Sequence, residues 1–281
     1  MTNKKKKNYI KLLLVNLFFI IICLACMIPI LYAVSVSFNA ENSFLSSDFS
    51  FIPRNFTLDN YKSVIFEKPF LLWLKNTSIL AFCTVVLALA IGIPAAYSFS
   101  RHRLPGRNAL LMILLMLNAF PTILSMFALY TLLKPMGLIN SDAGLILIYT
   151  GTMTIFSLWN MKGYFDTIPE EIEEAGKIDG ASNLQIIIKI IFPLAKPTII
   201  VTAVMVLIYV WNEYIFAINF MTGADNYTLA AGLYALQATE YTRNWPIFSA
   251  ASLMVSLPIL IIFFLIQKQM QSGLTSGGVK G

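Results

Sequence analysis

Six long apolar stretches set the strongest limit on what this chain can fold into. Of its 281 residues, 58% are hydrophobic and 12% are charged, which is about half the charged fraction usual in soluble domains. A helix needs roughly 20 apolar residues to cross a hydrocarbon core of ~30 Å. The stretches that reach or approach this length are Ile10–Phe38, Leu71–Ser98, Asn108–Leu133, Ala143–Met161, Thr198–Met221 and Ile247–Gln267. The sequence therefore predicts an all-α integral membrane protein with six transmembrane helices.

The distribution of lysine and arginine predicts how these spans are oriented. With the N-terminus in the cytoplasm, 14 of the 20 basic residues fall on the cytoplasmic side and six on the outer side. Basic residues in short loops are retained preferentially in the cytoplasm. We therefore expect six spans with both termini in the cytoplasm. The net charge of +6 follows from this asymmetry and requires no nucleic acid partner.

The cysteines and the single histidine indicate neither redox chemistry nor a metal site. Cys23, Cys26 and Cys83 all fall within predicted spans, where a free cysteine behaves as a small hydrophobic residue. His102 lies in a predicted loop with no second histidine or cysteine near it, so a zinc-like ligand set is not expected.

A few polar residues within the spans are candidates for a translocation pathway. Ionisable side chains in a membrane are costly and usually face protein or a water-filled cavity. Asn212 and Glu213 lie in the fifth predicted span, and Asn118 lies in the third, close to Pro121. These residues either line a cavity or make a structural ion pair or interhelical hydrogen bond. Prolines within four spans predict kinks, at Pro29, Pro94, Pro121 and Pro258.

The segment between the fourth and fifth spans is polar, acidic and rich in turn signals. Thr167 with Glu170 three residues later predicts a capping box, which starts a first helix with Pro169 in its first turn. Gly180 suits the left-handed position that ends this helix. Ser182 and Gln185 predict a second capping box and thus a second short helix.

The second helix is expected to end near Phe192, because Pro193 disfavours helical geometry at the residue before it. One side of this helix is apolar and consists of Leu184, Ile187, Ile188 and Ile191. An apolar ridge in a polar loop must be covered by lipid, by the rest of the chain or by another subunit.

The charges of the first helix also suggest a partner. Glu173 and Lys177 are four residues apart and are expected to pair along the helix, whereas Glu170 and Glu174 share a face and repel each other. From the pattern alone, both an interfacial helix on lipid and a docking site for another protein remain open.

This segment resembles the EAA loop by which permeases of ABC importers bind their ATPase subunits. The positions that carry the resemblance are Glu174, Ala175, Gly180, Ile190 and Pro193. Gly176 stands where the family has a second alanine, and Phe192 where it has leucine. In that family the helix pair docks into a cleft of the ATPase subunit. The residues that the resemblance assigns to ATPase coupling are Glu170, Glu173, Glu174, Ala175, Gly176, Asp179, Gly180, Ile190 and Pro193.

Further segments resemble the MalG-type permeases of maltose and maltodextrin importers, and they extend over nearly the whole chain. They are Ala95–Tyr97 through Pro105–Arg107, Gly163–Ile168, Tyr227–Ala230 and Gly273–Gly281. The resemblance implies one permease domain over 1–281, with its core at about 71–268, an additional N-terminal helix at 10–38, a coupling loop at 162–197 and a tail at 269–281. In the family the tail reaches between the two ATPase subunits.

The loop from Thr222 to Asn244 is similar to one that contacts the sugar-binding protein in the maltose system. The resemblance places Gln237, Glu240 and Tyr241 in this contact. It further implies a type I ABC importer permease fold in a bacterial plasma membrane. The expected partners are a second homologous permease, two ATPase subunits, a periplasmic or extracellular sugar-binding protein and the lipid bilayer. The expected cargo is an oligosaccharide such as maltodextrin, with galacto-oligosaccharides as the alternative.

The chain is not expected to be an enzyme or to bind a cofactor. A phosphate-binding loop requires Gly-x-x-x-x-Gly-Lys-Ser/Thr, and the single Gly-Lys pair, at Gly176–Lys177, is followed by Ile178. The resemblance assigns ATP to the partner subunits. An ion-coupled secondary transporter that uses Glu213 as its carrier is an alternative, but it leaves the coupling segment unexplained. A membrane enzyme lacks a nucleophile and base pair in this sequence.

Overall fold

A computed structural model describes residues 3–40, 51–53, 55–237 and 244–276, with side chains described in 11–40, 51–53, 55–121, 123–237 and 244–267. In chain order its helices are α1 (Asn3–Ser37), α2 (Asp59–Phe66), α3 (Phe70–Arg101), α4 (Arg107–Ala119), α5 (Thr122–Leu133), α6 (Asp142–Phe165), α7 (Glu171–Ile178), α8 (Asn183–Ile186), α9 (Phe192–Asn212), α10 (Ile215–Phe220), α11 (Leu229–Gln237) and α12 (Trp245–Ser276). A π-helical turn at Ile187–Ile191 joins α8 to α9. Within the described ranges, five helices are long and apolar enough to cross a membrane, and α4 with α5 forms a sixth candidate.

The third predicted span is not one continuous helix. The axes of α4 and α5 meet at an angle of 98°, and the break lies at Phe120 and Pro121. Phe120 has an extended backbone (ψ 132°), as expected for a residue before proline. The kink predicted at Pro121 is confirmed, and it is sharp enough to divide the predicted span into two helices. Pro29, Pro94 and Pro258, by contrast, lie inside α1, α3 and α12.

The fifth predicted span is also divided. The helix that contains it begins earlier, at Asn183, and runs to Asn212. It stops at Glu213, whose backbone is extended (ψ 119°), and α10 continues the span from Ile215. Two spans are therefore broken, one beside Pro121 and one at Glu213.

The chain divides into two compact units, of which the first comprises Met1–Lys68 with Ala235–Ser256. Here the end of α1 is tied to α2 by side-chain hydrogen bonds. Asn60 Nδ2 donates to the carbonyl oxygens of Ser37 (2.9 Å) and Asn39 (2.8 Å), and the Ser37 and Tyr61 hydroxyls lie 2.7 Å apart. The bond to Ser37 satisfies one of the carbonyls that the end of α1 leaves without helical partners.

The second unit comprises Pro69–Tyr234 with Leu257–Gly281, and its core is formed by α3, α6 and α9. One buried cluster joins these helices to α10 and includes Leu80, Tyr149 and Phe216. A second cluster lies nearer Arg101 and includes the fully buried residues Ala96, Met161, Phe165, Ile186, Ile191 and Ala195. The start of the α8–α9 helix therefore packs into the core of this unit.

Close packing of α3 on α6 predicts that Gly92→Ala destabilises the protein. A Cβ atom at Gly92 would lie 2.8 Å from Cβ of Ser157, so the helices would have to shift apart. Overpacking of this kind costs about 1–3 kcal/mol. We expect a lower unfolding temperature in detergent for this variant. Gly163→Ala, in the last turn of α6, is the matched control, because a Cβ added there would meet nothing within 4 Å. Equal unfolding temperatures for the two variants would contradict this packing.

Candidate functional site

Helix α7 begins three residues later than the sequence predicts, with its N-cap at Glu170 instead of Thr167. Its first residue is Glu171, and Glu170 at the N-cap makes no side-chain capping bond. The Thr167 hydroxyl instead donates to the carbonyl oxygen of Tyr164 (2.7 Å), in the last turn of α6. The Thr167–Glu170 capping box was therefore wrong, because Thr167 completes the preceding helix and Pro169 lies before α7.

The turn signals after α7 are confirmed. Gly180 has φ of 80°, the left-handed conformation, and its N–H donates to the carbonyl of Lys177. The N–H of Ala181 donates to the carbonyl of Gly176, which completes a Schellman motif. Ser182 and Gln185 form the predicted capping box at the start of α8.

Pro193 does not end the second helix, contrary to the prediction. Phe192 is helical (φ −60°, ψ −47°), and Pro193 lies in the first turn of α9. The preceding π-helical turn widens the backbone ladder, with the Phe192 N–H bonded to the Ile187 carbonyl five residues back. A proline lacks the N–H and crowds the carbonyl four residues before it, so an irregular turn accommodates it within a continuous helix.

The two faces of α7 have different environments. Glu170, Glu174, Ala175 and Asp179 are exposed, whereas Glu173 and Gly176 are buried. A Cβ at Gly176 would lie 2.9 Å from Cδ1 of Ile190, so this glycine allows α7 to pack closely on the start of the α8–α9 helix. Of the predicted coupling residues, the structure thus brings Glu173, Gly176 and Ile190 onto the inner side.

Glu173 pairs with α3 rather than with Lys177. Its Oε1 accepts from Nε of Arg101 (2.5 Å), and its Oε2 accepts from the Tyr97 hydroxyl (2.7 Å). Neither partner was predicted from the sequence. A signal was present, because Arg101 ends a 32-residue helix whose length, at 1.5 Å per residue, exceeds a ~30 Å hydrocarbon core.

A more exposed ion pair lies beside this cluster. Nζ of Lys162 is 2.6 Å from Oδ2 of Asp166, and the Ser100 hydroxyl donates to Oδ1 (2.7 Å). Burial alone would raise the pKa of the Asp166 carboxyl. The bonds from Lys162 and Ser100 outweigh this effect and lower the pKa below its ordinary value.

Glu213 makes hydrogen bonds that join neighbouring elements at the break between α9 and α10. Its carboxylate accepts from the Tyr149 hydroxyl (2.5 Å) and from the backbone N–H groups of Phe216 (2.8 Å) and Ala217 (3.4 Å). These amides belong to the first turn of α10, which has no partners for them within the helix. The carboxylate therefore satisfies donors that the broken span exposes.

A cavity of about 490 Å³ lies where the two broken spans come together. It is lined by Pro121, Ile123, Ile208, Tyr209, Asn212, Glu213, Tyr214, Ile215 and Phe216. Asn212 is exposed, and its Nδ2 donates only to the carbonyl of Ile208 in its own helix among the described bonds. Asn118 is exposed near the end of α4 but is not among the described residues that line this cavity.

The residues predicted to contact a binding protein are only partly described. Gln237 is the last residue of α11 and is half-buried. Glu240 and Tyr241 lie outside the described residues, as does the end of the predicted tail beyond Ser276. Among the described residues, no group of three or more His, Cys, Asp or Glu side chains could hold a metal ion.

Long apolar helices, two of them broken, define a multi-pass membrane protein with a polar segment between two of its spans. Comparison with known proteins agrees. The model of the family described as "Binding-protein-dependent transport system inner membrane component" matches residues 88–275. The chain belongs to this family of transporter components, which are not enzymes.

Curated relatives match the chain over nearly its whole length. It is 34% identical to the galactooligosaccharides transport system permease protein GanQ of Bacillus subtilis, covering 100% of both chains. It is 35% identical to the maltodextrin transport system permease protein MdxG of the same organism, covering 94% of this chain and 95% of the relative. A solved bacterial ABC transporter that imports the acidic polysaccharide alginate shares the fold, with a TM-score of 0.75, 24% identity and coverage of 95% and 98%.

The contacts of Glu213 predict that Glu213→Ala destabilises the protein. The substitution leaves the Tyr149 hydroxyl and two amides without their acceptor, and an unsatisfied buried group costs about 1–3 kcal/mol. Glu213→Gln retains a carbonyl acceptor and should lose less. Thermal unfolding of the purified protein in detergent measures both. Asn212→Ala, at the preceding residue, serves as the control. An equal loss of stability in this variant would contradict the stabilising role assigned to the Glu213 carboxylate.

Proposed function

We propose that this chain is a permease subunit of an ATP-driven oligosaccharide importer, and that α7 and α8 present its docking surface for an ATPase subunit. The observation that carries this proposal is the exposed outer face of these helices. Ile178 is 86% exposed and Leu184 65% exposed, close in sequence to the exposed carboxylates of Glu174 and Asp179. Large apolar side chains beside charges in a polar segment are typical of a protein interface.

The coupling residues have different roles in this proposal. Glu170, Glu174, Ala175 and Asp179 face outward and contact the ATPase subunit. Gly176 and Ile190 hold α7 against the chain, and Gly180 sets the turn between α7 and α8. Pro193, exposed in the first turn of α9, lies at the point where the segment passes into the span.

Oligosaccharides are the proposed cargo because two relatives that match nearly the whole chain are named for them. Maltodextrin is the favoured substrate, and the full-length similarity to GanQ supports galacto-oligosaccharides as the second candidate. The cavity between the broken spans is the proposed part of the pathway. Its lining combines tyrosine rings with the exposed amide of Asn212, which suits a hydroxyl-rich sugar. In this proposal Glu213 shapes the cavity by holding α10.

The remaining partners complete the proposed transporter. A second homologous permease forms the other half of the pathway, two ATPase subunits bind and hydrolyse ATP, and this chain binds no cofactor. A sugar-binding protein contacts the loop that includes Gln237, Glu240 and Tyr241. The chain lies in the bacterial plasma membrane with both termini in the cytoplasm, as the basic residues indicate.

Purification of the tagged chain in mild detergent tests the proposed assembly. Mass spectrometry should identify a second permease and an ATPase subunit in the complex. Reconstituted with its binding protein, the complex should show ATPase activity stimulated by maltotetraose more than by a galactotriose. The reverse order would favour the galacto-oligosaccharide alternative. A chain that transports sugar without an ATPase would refute the proposal.

The docking surface predicts that Glu174→Lys and Gly180→Trp reduce copurified ATPase subunit by tenfold or so, equivalent to about 1.4 kcal/mol of binding. The first reverses the charge of the outer face, and the second places a large ring at the turn. Gly137→Trp is a matched control for backbone strain, because Gly137 also has positive φ (70°, against 80° at Gly180) and open space around it. Undiminished copurification in both variants would refute the proposed surface.

The proposed orientation predicts the results of reporter fusions. A reporter after Asn39 or Gly137 should be active outside the membrane, and one after Arg103 or Asp179 should be active in the cytoplasm. Alkaline phosphatase and green fluorescent protein report the two sides. A single inverted site would require a different assignment, first of all for the bent pair of α4 and α5.

A further inference from the structure

We propose that Arg101 and Tyr97 are positioning residues for energy coupling, because they fix Glu173 and so make α7 move together with the end of α3. The inference rests on the proposed docking function of α7. It assigns a role to two residues of a membrane span that lie outside the coupling segment. We refer to Tyr97, Arg101 and Glu173 as the clasp.

The ion pair of the clasp is buried, Tyr97 is half-buried, and each nitrogen and oxygen of the ion pair makes a hydrogen bond. The Arg101 and Glu173 side chains are each 8% exposed. Both carboxylate oxygens accept a bond, one from Arg101 and one from Tyr97. The other two guanidinium nitrogens of Arg101 donate to the Ser100 hydroxyl (3.2 Å) and to the Ile168 carbonyl (2.9 Å). Arg101 thus connects α3 both to α7 and to the chain that enters it.

Such a pair is better suited to fixing geometry than to adding stability. The desolvation of two buried charges offsets much of their attraction, so a buried ion pair gives little net stabilisation. The planar guanidinium, however, directs its hydrogen bonds along fixed lines, which a lysine does not. The directions of the hydrogen bonds from Arg101 therefore fix the orientation of α7 on α3, in addition to its distance from α3.

The neighbouring glutamates have opposite surroundings. Glu174 is exposed on the outer face, and Glu173 one position earlier is buried against α3. A force applied by a partner at Glu174 therefore reaches the clasp through the backbone of the adjacent residue. At Gly176 the contact with Ile190 is apolar and lacks directional bonds, so it permits sliding where the clasp does not.

Reconstituted complexes with the binding protein provide the functional test. The readout is sugar transported per ATP hydrolysed, with the ATPase content of each complex measured in parallel. A merely structural defect lowers the amount of complex and leaves this ratio unchanged. Glu173→Gln and Arg101→Lys should each lower the ratio about fivefold, at the low end of typical couplings between sites. The double variant should be no worse than the more defective single variant, because both remove one interaction.

Controls separate this proposal from the one on which it rests. Glu171→Gln makes the same change of charge at an exposed position of α7 and should keep the wild-type ratio. An unchanged ratio in both clasp variants, or an equal fall in Glu171→Gln, would overturn the inference. Loss of ATPase subunits from the clasp variants alone would also overturn it, because Glu173 would then act on docking. Absence of ATPase from the wild-type complex would instead refute the proposed function.

A distance measurement tests the mechanical claim directly. Spin labels at Glu171→Cys and Arg103→Cys, in a background with Cys23, Cys26 and Cys83 replaced by serine, report the separation of α7 from the end of α3. Pulsed electron paramagnetic resonance should give the same distance distribution in ATP-free and ATP-bound complexes. In Glu173→Gln the distribution should broaden or shift between the two states. A wild-type distance that changes with ATP would show that α7 and α3 move separately and would overturn the inference.

Discussion

Hydrocarbon provides no hydrogen-bond partners for the backbone, and the rest of this structure depends on that constraint. Within the described spans, α1, α3, α6 and α12 satisfy their backbone groups by remaining helical. Where a span breaks, another group must take over. At the break after Asn212, the Glu213 carboxylate binds the amides at the start of α10 and is held by Tyr149. An ionisable residue in a membrane span can therefore be a requirement of backbone geometry.

The features that the sequence predicted well depend on residues that are close together in the chain. The apolar stretches, the left-handed Gly180 and the Ser182 capping box each follow from a local rule that involves residues close in sequence. The errors arose where a local rule had a competing solution. Thr167 could cap the next helix or complete the previous one, and it does the latter. Pro193 could end a helix or follow a π-helical turn, and it does the latter.

The inner side of the candidate site could not be predicted by local rules. Glu173 lies four residues before Lys177 and has a plausible partner there, yet it pairs with Arg101, 72 residues earlier in the chain. That choice depends on how α3, α6 and the start of the α8–α9 helix pack, because packing brings the end of α3 over α7. The resemblance to the EAA loop identified the segment that we propose as the docking surface. It grouped Glu173 with Glu174, whereas the structure separates them into a buried and an exposed position.

The π-helical turn at Ile187–Ile191 sets the rotation of α8, which belongs to the proposed docking surface, relative to α9. An α-helix advances about 100° per residue, so the wider turn changes the direction in which all earlier side chains point. With this turn, Ile186 is buried and Leu184 is exposed. Loss of one residue here would rotate α8 by about that angle and exchange parts of its inner and outer faces. The length of this turn thus determines the proposed docking surface as much as the side chains of that surface do.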